Sequence, residues 1–145
     1  MTRIGNGHHK YISNSIEDTA MLAKKIADKL RGGEVIILNG NLGAGKTTFT
    51  KGLAKALGIA DVVTSPTFTF MKEYIGRLKL YHFDMYRAVD EDELYELGLN
   101  DYLYQNGVCV IEWNKFEDIK DPIQITITNL EDDKRLFEIS GVDFD

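Results

Sequence analysis

The chain has 145 residues, one domain's worth, enough to bury about 70% of the surface its unfolded form exposes. Hydrophobic residues at 43% and charged residues at 28% exclude a disordered chain, a collagen-like chain and a coiled coil. Seventeen Lys and Arg against 23 Asp and Glu leave a net charge of −6. Such a chain is a poor candidate for gripping a nucleic-acid backbone unaided, so service in a nucleic-acid pathway would run through partners.

One cysteine, Cys109, can make neither an internal disulfide nor a cysteine-rich zinc site. Inside VCVIEW it reads as a small buried hydrophobe. No apolar run reaches the roughly 18 residues that a membrane span needs. Residues 1–15 lack the apolar core of a signal peptide, so a cytoplasmic protein is expected. His8 and His9 read as a solvated pair near a free end, not as metal ligands. No repeat, low-complexity tract or linker interrupts the chain, and residues 1–145 read as a single domain.

The first element is a helix. Ser15-Ile-Glu-Asp18 is a capping pattern, and Ile16, Leu22, Ile26, Ala27 and Leu30 then mark one apolar face up to Gly32-Gly33. EVIIL follows, a continuous apolar run suited to a strand buried on both faces. It runs straight into GNLGAGKTT. A second helix is expected from about Thr47 to Leu57, closed by Gly58. Phe68 to Ile75 and Leu78 to Phe83 flank Gly76-Arg77 as a tight hairpin. Asp90 to Leu97 reads as a short helix with acids where its dipole favours them. Val108 to Ile111 is another buried strand. Ile123 to Thr128 and Leu136 to Ile139 form an antiparallel hairpin through Glu131 to Lys134. The sum is α/β: a mixed parallel and antiparallel sheet with helices packed on it.

The strongest motif is Gly40-Asn-Leu-Gly-Ala-Gly45-Lys46-Thr47, a full match to G-x-x-x-x-G-K-[ST] between a buried strand and a helix. Glycines let the backbone wrap an anion, and successive amides and the positive helix end point inward. Lys46 would meet the β- and γ-phosphates, Thr47 would offer its hydroxyl to Mg²⁺, and Thr48 would add a phosphate contact. The bland alternative is a glycine-rich turn that only caps a helix.

Hydrolysis also needs a carboxylate near the metal and a group to place water. Glu112 ends the wholly apolar run from Val108 and is expected at magnesium through water. Asp84 ends a run broken by Lys79, which looks nearer an edge or one-sided. It is expected to position the attacking water or the switch around it. His82 shares the face of Asp84, as a core residue or as a participant. Arg87 could support the site or meet a partner. Ser65-Pro-Thr-Phe68 stands where a hydroxyl often senses the γ-phosphate, or is simply a turn into a strand. Trp113 could stack on a partner or cover the sheet edge. Asn114-Lys-Phe-Glu117 approximates the guanine-reading N-K-x-D, but ends in Glu, and no D-x-x-G accompanies it. A small GTP-binding regulator is thus one alternative. A small-molecule kinase is another, although the acidic segment Asp90 to Glu93 is a poor phosphate lid. The acids of Asp90 to Glu96 could dock a basic patch or form a solvated face.

LGAGKTT, SPTF, H-x-D-x-Y-R and E-W, collinear over nearly the whole chain, together resemble the TsaE family. That resemblance implies a P-loop NTPase of three αβα layers that uses ATP and Mg²⁺ with weak intrinsic ATPase activity. It implies work with TsaB and TsaD, which transfer threonylcarbamoyl to N6 of the adenosine beside the anticodon in tRNAs reading codons that begin with adenine. The family member resets or licenses that complex and meets tRNA only through it. Carried residue by residue, the pattern makes Gly43, Ala44, Gly45, Lys46, Thr47 and Thr48 the nucleotide loop. It assigns Thr47 and Glu112 to magnesium, makes Asp84 important for turnover alongside Lys46 and Glu112, and sets Arg135 near the nucleotide. Trp113 is the aromatic of the E-W pair. Asn114-Lys115 departs from the Pro or Ala plus acid that members often carry next, so no acid is assigned there.

Overall fold

The computed structural model describes every residue except Asn6, Leu42, Thr67, Phe68 and Asp145. Among the described residues one eight-stranded sheet carries the fold. Its strands are β1 (Thr2–Gly5), β2 (His8–Ser13), β3 (Val35–Asn39), β4 (Met71–Tyr74), β5 (Leu80–Asp84), β6 (Val108–Glu112), β7 (Ile123–Asn129) and β8 (Arg135–Ser140). Their order is β1-β2-β8-β7-β3-β6-β5-β4. The central strands β7, β3, β6 and β5 run parallel, and the flanking strands are antiparallel to their neighbours.

β3 and β6 are apolar up to their last residues, Asn39 and Glu112, because both faces of the parallel sheet are covered. On one face lie α1 (Ile16–Ala27) and α2 (Lys46–Ala56). Leu22, Ile26, Phe49 and Leu53 pack there with Ile36, Leu38, Val110, Ile125 and Phe137. On the other face α3 (Glu91–Glu96) and a 3-10 turn (Leu99–Tyr102) bring Leu94 and Leu99 against Val35, Ile37, Phe83 and Ile111. The architecture is α/β with a mixed sheet between helical layers. Ser15 caps α1 by accepting from the Asp18 amide, and Asp90 caps α3 by accepting from Glu93. Cys109 is fully buried as expected, and burial pushes its thiol up to about 12.

Four expectations are corrected. Lys79 precedes β5 and reaches Glu73 at 3.4 Å; β5 lies beside the edge strand β4, nearer the edge than β6 as expected, but its residues are buried on both faces, so it is not one-sided. The turn after β4 is longer than a two-residue hairpin, since Tyr74 pairs with Leu80. Its Arg77 amide donates to Leu57 O at 2.6 Å and its guanidinium to Ala27 O at 2.9 Å, so the turn is shaped by the helix ends beneath it. The first helix stops at Ala27, because the Glu34 carboxylate accepts from the Arg31 and Gly32 amides and holds the following segment in a turn. His9, finally, is not solvated. It lies buried in β2, its ring edge-on to Phe144 with centroids 4.8 Å apart and Nε2 3.9 Å from Asp143. His8 is exposed as expected.

Candidate functional site

The C-terminal ends of parallel strands are where open α/β sheets bind ligands, because loops and helix N-termini converge there. Here β3, β5 and β6 end at Asn39, Asp84 and Glu112. The loop from β3 leads into α2 through Gly43 at φ 79° and Gly45 at φ 108°. Both values lie in the left-handed region that glycine adopts without strain. Ala44 is buried and its amide donates to Asn41 O at 3.0 Å, which closes the loop on itself. Unlike α1 and α3, helix α2 has no side-chain cap and no acid in its first turn. Its leading amides are therefore left for an anion.

A cleft of about 330 Å³ lies in front of that helix end, lined by Gly43, Gly45, Lys46, Thr47, Thr48, Ser65, Asp84, Glu112, Trp113 and Arg135. The structure thus brings the sequence-predicted side chains to one place. Asp84 and Glu112 are register partners on adjacent strands. Ser65 Oγ donates to Asp84 Oδ2 at 3.2 Å, and the Tyr86 amide donates to Oδ1 at 3.0 Å, so this carboxylate is fixed from two sides. Glu112 is buried, and its Oε2 lies 2.5 Å from Nε2 of the fully buried His82. Burying a carboxylate costs several kcal/mol unless it is paired, and His82 supplies a partner.

Lys46 is 6% exposed. Its ammonium donates to Gly40 O at 2.7 Å and sits 3.8 Å from the centre of the Trp113 ring. Burial pushes its pKa below the usual lysine range, while Glu112 and then Asp84 pull it the other way. Trp113 therefore covers the loop lysine, and Tyr86 lies edge-on beside it with centroids 5.1 Å apart. Arg87 is exposed, outside the lining of the cleft. Thr67 and Phe68 of the SPTF segment, and Leu42 of the glycine loop, lie outside the described residues.

A second cleft of about 340 Å³ adjoins the first, sharing Gly45, Thr48 and Arg135. Ser13, Asn14, Ile16, Asp133 and Phe137 complete much of its wall. Sequence reasoning missed this half. Its residues come from the end of β2, the start of α1, the β7–β8 turn and β8, which the β2–β8 pairing brings together. The Asn114-Lys115 pair is occupied by its own chain. Asn114 exchanges hydrogen bonds with the Phe116 backbone, and Lys115 donates to the carbonyls of Tyr86 and Ala88.

The oxygen-bearing side chains that line the first cleft are the hydroxyls of Thr47, Thr48 and Ser65 and the carboxylates of Asp84 and Glu112. These oxygens suit a hard cation that keeps most of its water and takes one or two protein ligands. Among the described residues no group of three or more His, Cys, Asp and Glu could hold a metal by itself.

The family described as threonylcarbamoyl adenosine biosynthesis protein TsaE matches residues 13–137. The chain belongs to the TsaE family. A TsaE protein of Bacillus subtilis is 47% identical over 130 residues, covering 87% of this chain and 81% of that one. One of Aquifex aeolicus is 44% identical over 131 residues, covering 88% and 92%. The crystal structure of Bacillus subtilis YdiB superposes with a TM-score of 0.79 at 38% identity, covering 94% of this chain and 86% of that one. The resemblance drawn from the motifs and the expected P-loop fold are both borne out. Among the described residues of this TsaE chain, no helix is long and apolar enough to cross a membrane.

Proposed function

We propose that this TsaE chain binds ATP with Mg²⁺ and hydrolyses it slowly, as the cytoplasmic ATPase subunit working with TsaB and TsaD. Those partners transfer threonylcarbamoyl to N6 of the adenosine beside the anticodon in tRNAs reading codons that begin with adenine. The observation that carries the reading is the uncapped start of α2 with buried Lys46 beside it, opening on a cleft edged by Thr47, Asp84 and Glu112. The triphosphate lies along residues 43–48, where main-chain amides and the helix dipole favour its charge. The adjoining cleft, reached past Gly45 and Thr48, takes the nucleoside, and Arg135 stands between the two.

Bound Mg²⁺ would supply positive charge against the negative charge that develops as the γ-phosphoryl group departs. Thr47 and, through water, Glu112 are the residues that would hold it. Asp84, fixed by Ser65 and the Tyr86 amide, orients the water that attacks the γ-phosphorus. The bond to the bridging oxygen breaks, giving ADP and inorganic phosphate. The bonds that occupy Asn114 and Lys115 support ATP over GTP, because neither side chain is left to read a guanine.

The test is turnover. Lys46→Ala should abolish ATP hydrolysis and leave the chain folded. Turnover of the parent chain should respond to TsaB plus TsaD. Phosphorylation of an added small acceptor would favour a kinase instead, and stronger thermal protection by GTP than by ATP would favour a GTPase. Unchanged turnover in Lys46→Ala would defeat the assignment.

A further inference from the structure

The chain's other buried titratable group at this end of the sheet is His82. It is 0% exposed, on a strand whose neighbours on that face, Leu80 and Val110, are apolar and fully buried. Its backbone pairs with Val110, so the ring reaches one strand across and two residues along to meet Glu112. Nε2 lies 2.5 Å from Glu112 Oε2. Nδ1 is buried with no hydrogen-bond partner. Here one nitrogen is left unpaired, and the hydrogen bond that the ring does make goes to the carboxylate at the mouth of the cleft.

We propose that His82 is a positioning residue that holds Glu112 Oε2, so that the carboxylate meets a cation's water shell through Oε1 alone. A carboxylate only accepts, so Nε2 carries the hydrogen of this bond. The bond fixes the rotation of the carboxyl plane, and a short, charge-assisted contact does so tightly. Outer-shell partners of this kind orient a ligand without touching the metal. The identity of the cation follows the ATP and magnesium reading above; the His82–Glu112 bond does not depend on it.

The test separates the two. In His82→Gln the amide nitrogen can stand near the place of Nε2 and keep the donor. In His82→Asn it falls nearer Nδ1, too short to reach Glu112. ATP affinity is measured by calorimetry with Mg²⁺ and with a chelator. His82→Asn should lose the Mg²⁺-dependent gain in affinity by about 10- to 100-fold, with chelator-condition affinity held within about twofold; His82→Gln should recover most of the gain. A mere core role would give equal losses in both conditions and no rescue by Gln. Nitrogen-15 spectra of the parent protein without nucleotide give a readout independent of folding in the variants. The His82 ring should be in the Nε2–H form, and Glu112→Gln should move that signal. Asn binding like the parent, Gln as poor as Asn, or an Nδ1–H ring would each overturn the proposal. If the parent shows no ATP binding, the nucleotide reading falls, and the spectra still decide whether His82 holds Glu112.

Discussion

The Lys46 ammonium rests 3.8 Å from the centre of the Trp113 ring while donating to the Gly40 carbonyl. A cation–π contact contributes about 0.5–2 kcal/mol. Each hydrogen bond to a charged phosphate oxygen contributes about 1.5–3 kcal/mol, so a triphosphate should draw the ammonium off the ring. Trp113 is the chain's single tryptophan, which makes its emission a clean reporter. ATP should change that emission saturably, and Lys46→Ala should remove the response. An unaltered spectrum at ATP concentrations that calorimetry shows to be saturating would sink this account of Lys46.

Asp84 and Glu112 are side by side yet held differently, and their variants should differ too. Glu112→Ala should lose the magnesium-dependent tightening of ATP binding more than Asp84→Ala does. Asp84→Ala should instead bind Mg-ATP well and lose turnover by about 100-fold or more, the loss expected when a water-positioning base is removed. Calorimetry and steady-state rates on both variants check this. The opposite order would exchange the two roles.

The parallel half of the sheet was legible because its signals are local. VIIL and VCVI are apolar at every position, and the glycine loop sits between strand and helix, so strand, motif and cleft follow from one stretch of sequence. β2 was not legible. HHKYIS alternates weakly, and what makes it a strand is its pairing with β8, from His8 against Ser140 to Ser13 against Arg135. No local pattern encodes a partner so far along the chain. The same pairing brings Ser13 and Asn14 to the second cleft, so half of the candidate site was hidden with it. β5 reads as one-sided when Lys79 is counted into the strand, whereas Lys79 stands just before it. His82 could be assigned to the right face by its period-two relation to Asp84. Its reach to Glu112 depends on strand order, which the sequence leaves open.

Gly40 is needed for space. A Cβ there would lie 2.9 Å from Ile127 O and 3.0 Å from Ala44 Cβ, a backbone oxygen and a buried side chain that have little room to yield. Gly40→Ala should destabilise the fold by about 1–3 kcal/mol, the range for overpacking. Because Lys46 bonds to the Gly40 carbonyl, ATP affinity should fall as well. Urea melts with and without ATP measure both. A variant as stable as the parent would show that β7 yields to the extra methyl.

Cys109 gives a prediction with a definite sign. Its thiol is fully buried in β6 and burial raises it from the ordinary 9.0 to about 12. Above pH 9 the unfolded chain releases this proton while the folded chain keeps it. The folded state then binds more protons, so stability is fully present below pH 9 and is lost as pH climbs toward 12. Other groups titrate there too, so the measurement is a difference. Between pH 8 and pH 10 the parent should lose about 1.4 kcal/mol more than Cys109→Ala does, as one unfolded thiol ionises alone. Urea melts of both proteins at the two pH values give that difference. Parallel losses would mean that the folded thiol ionises as readily as the unfolded one, and that solvent reaches the middle of the sheet.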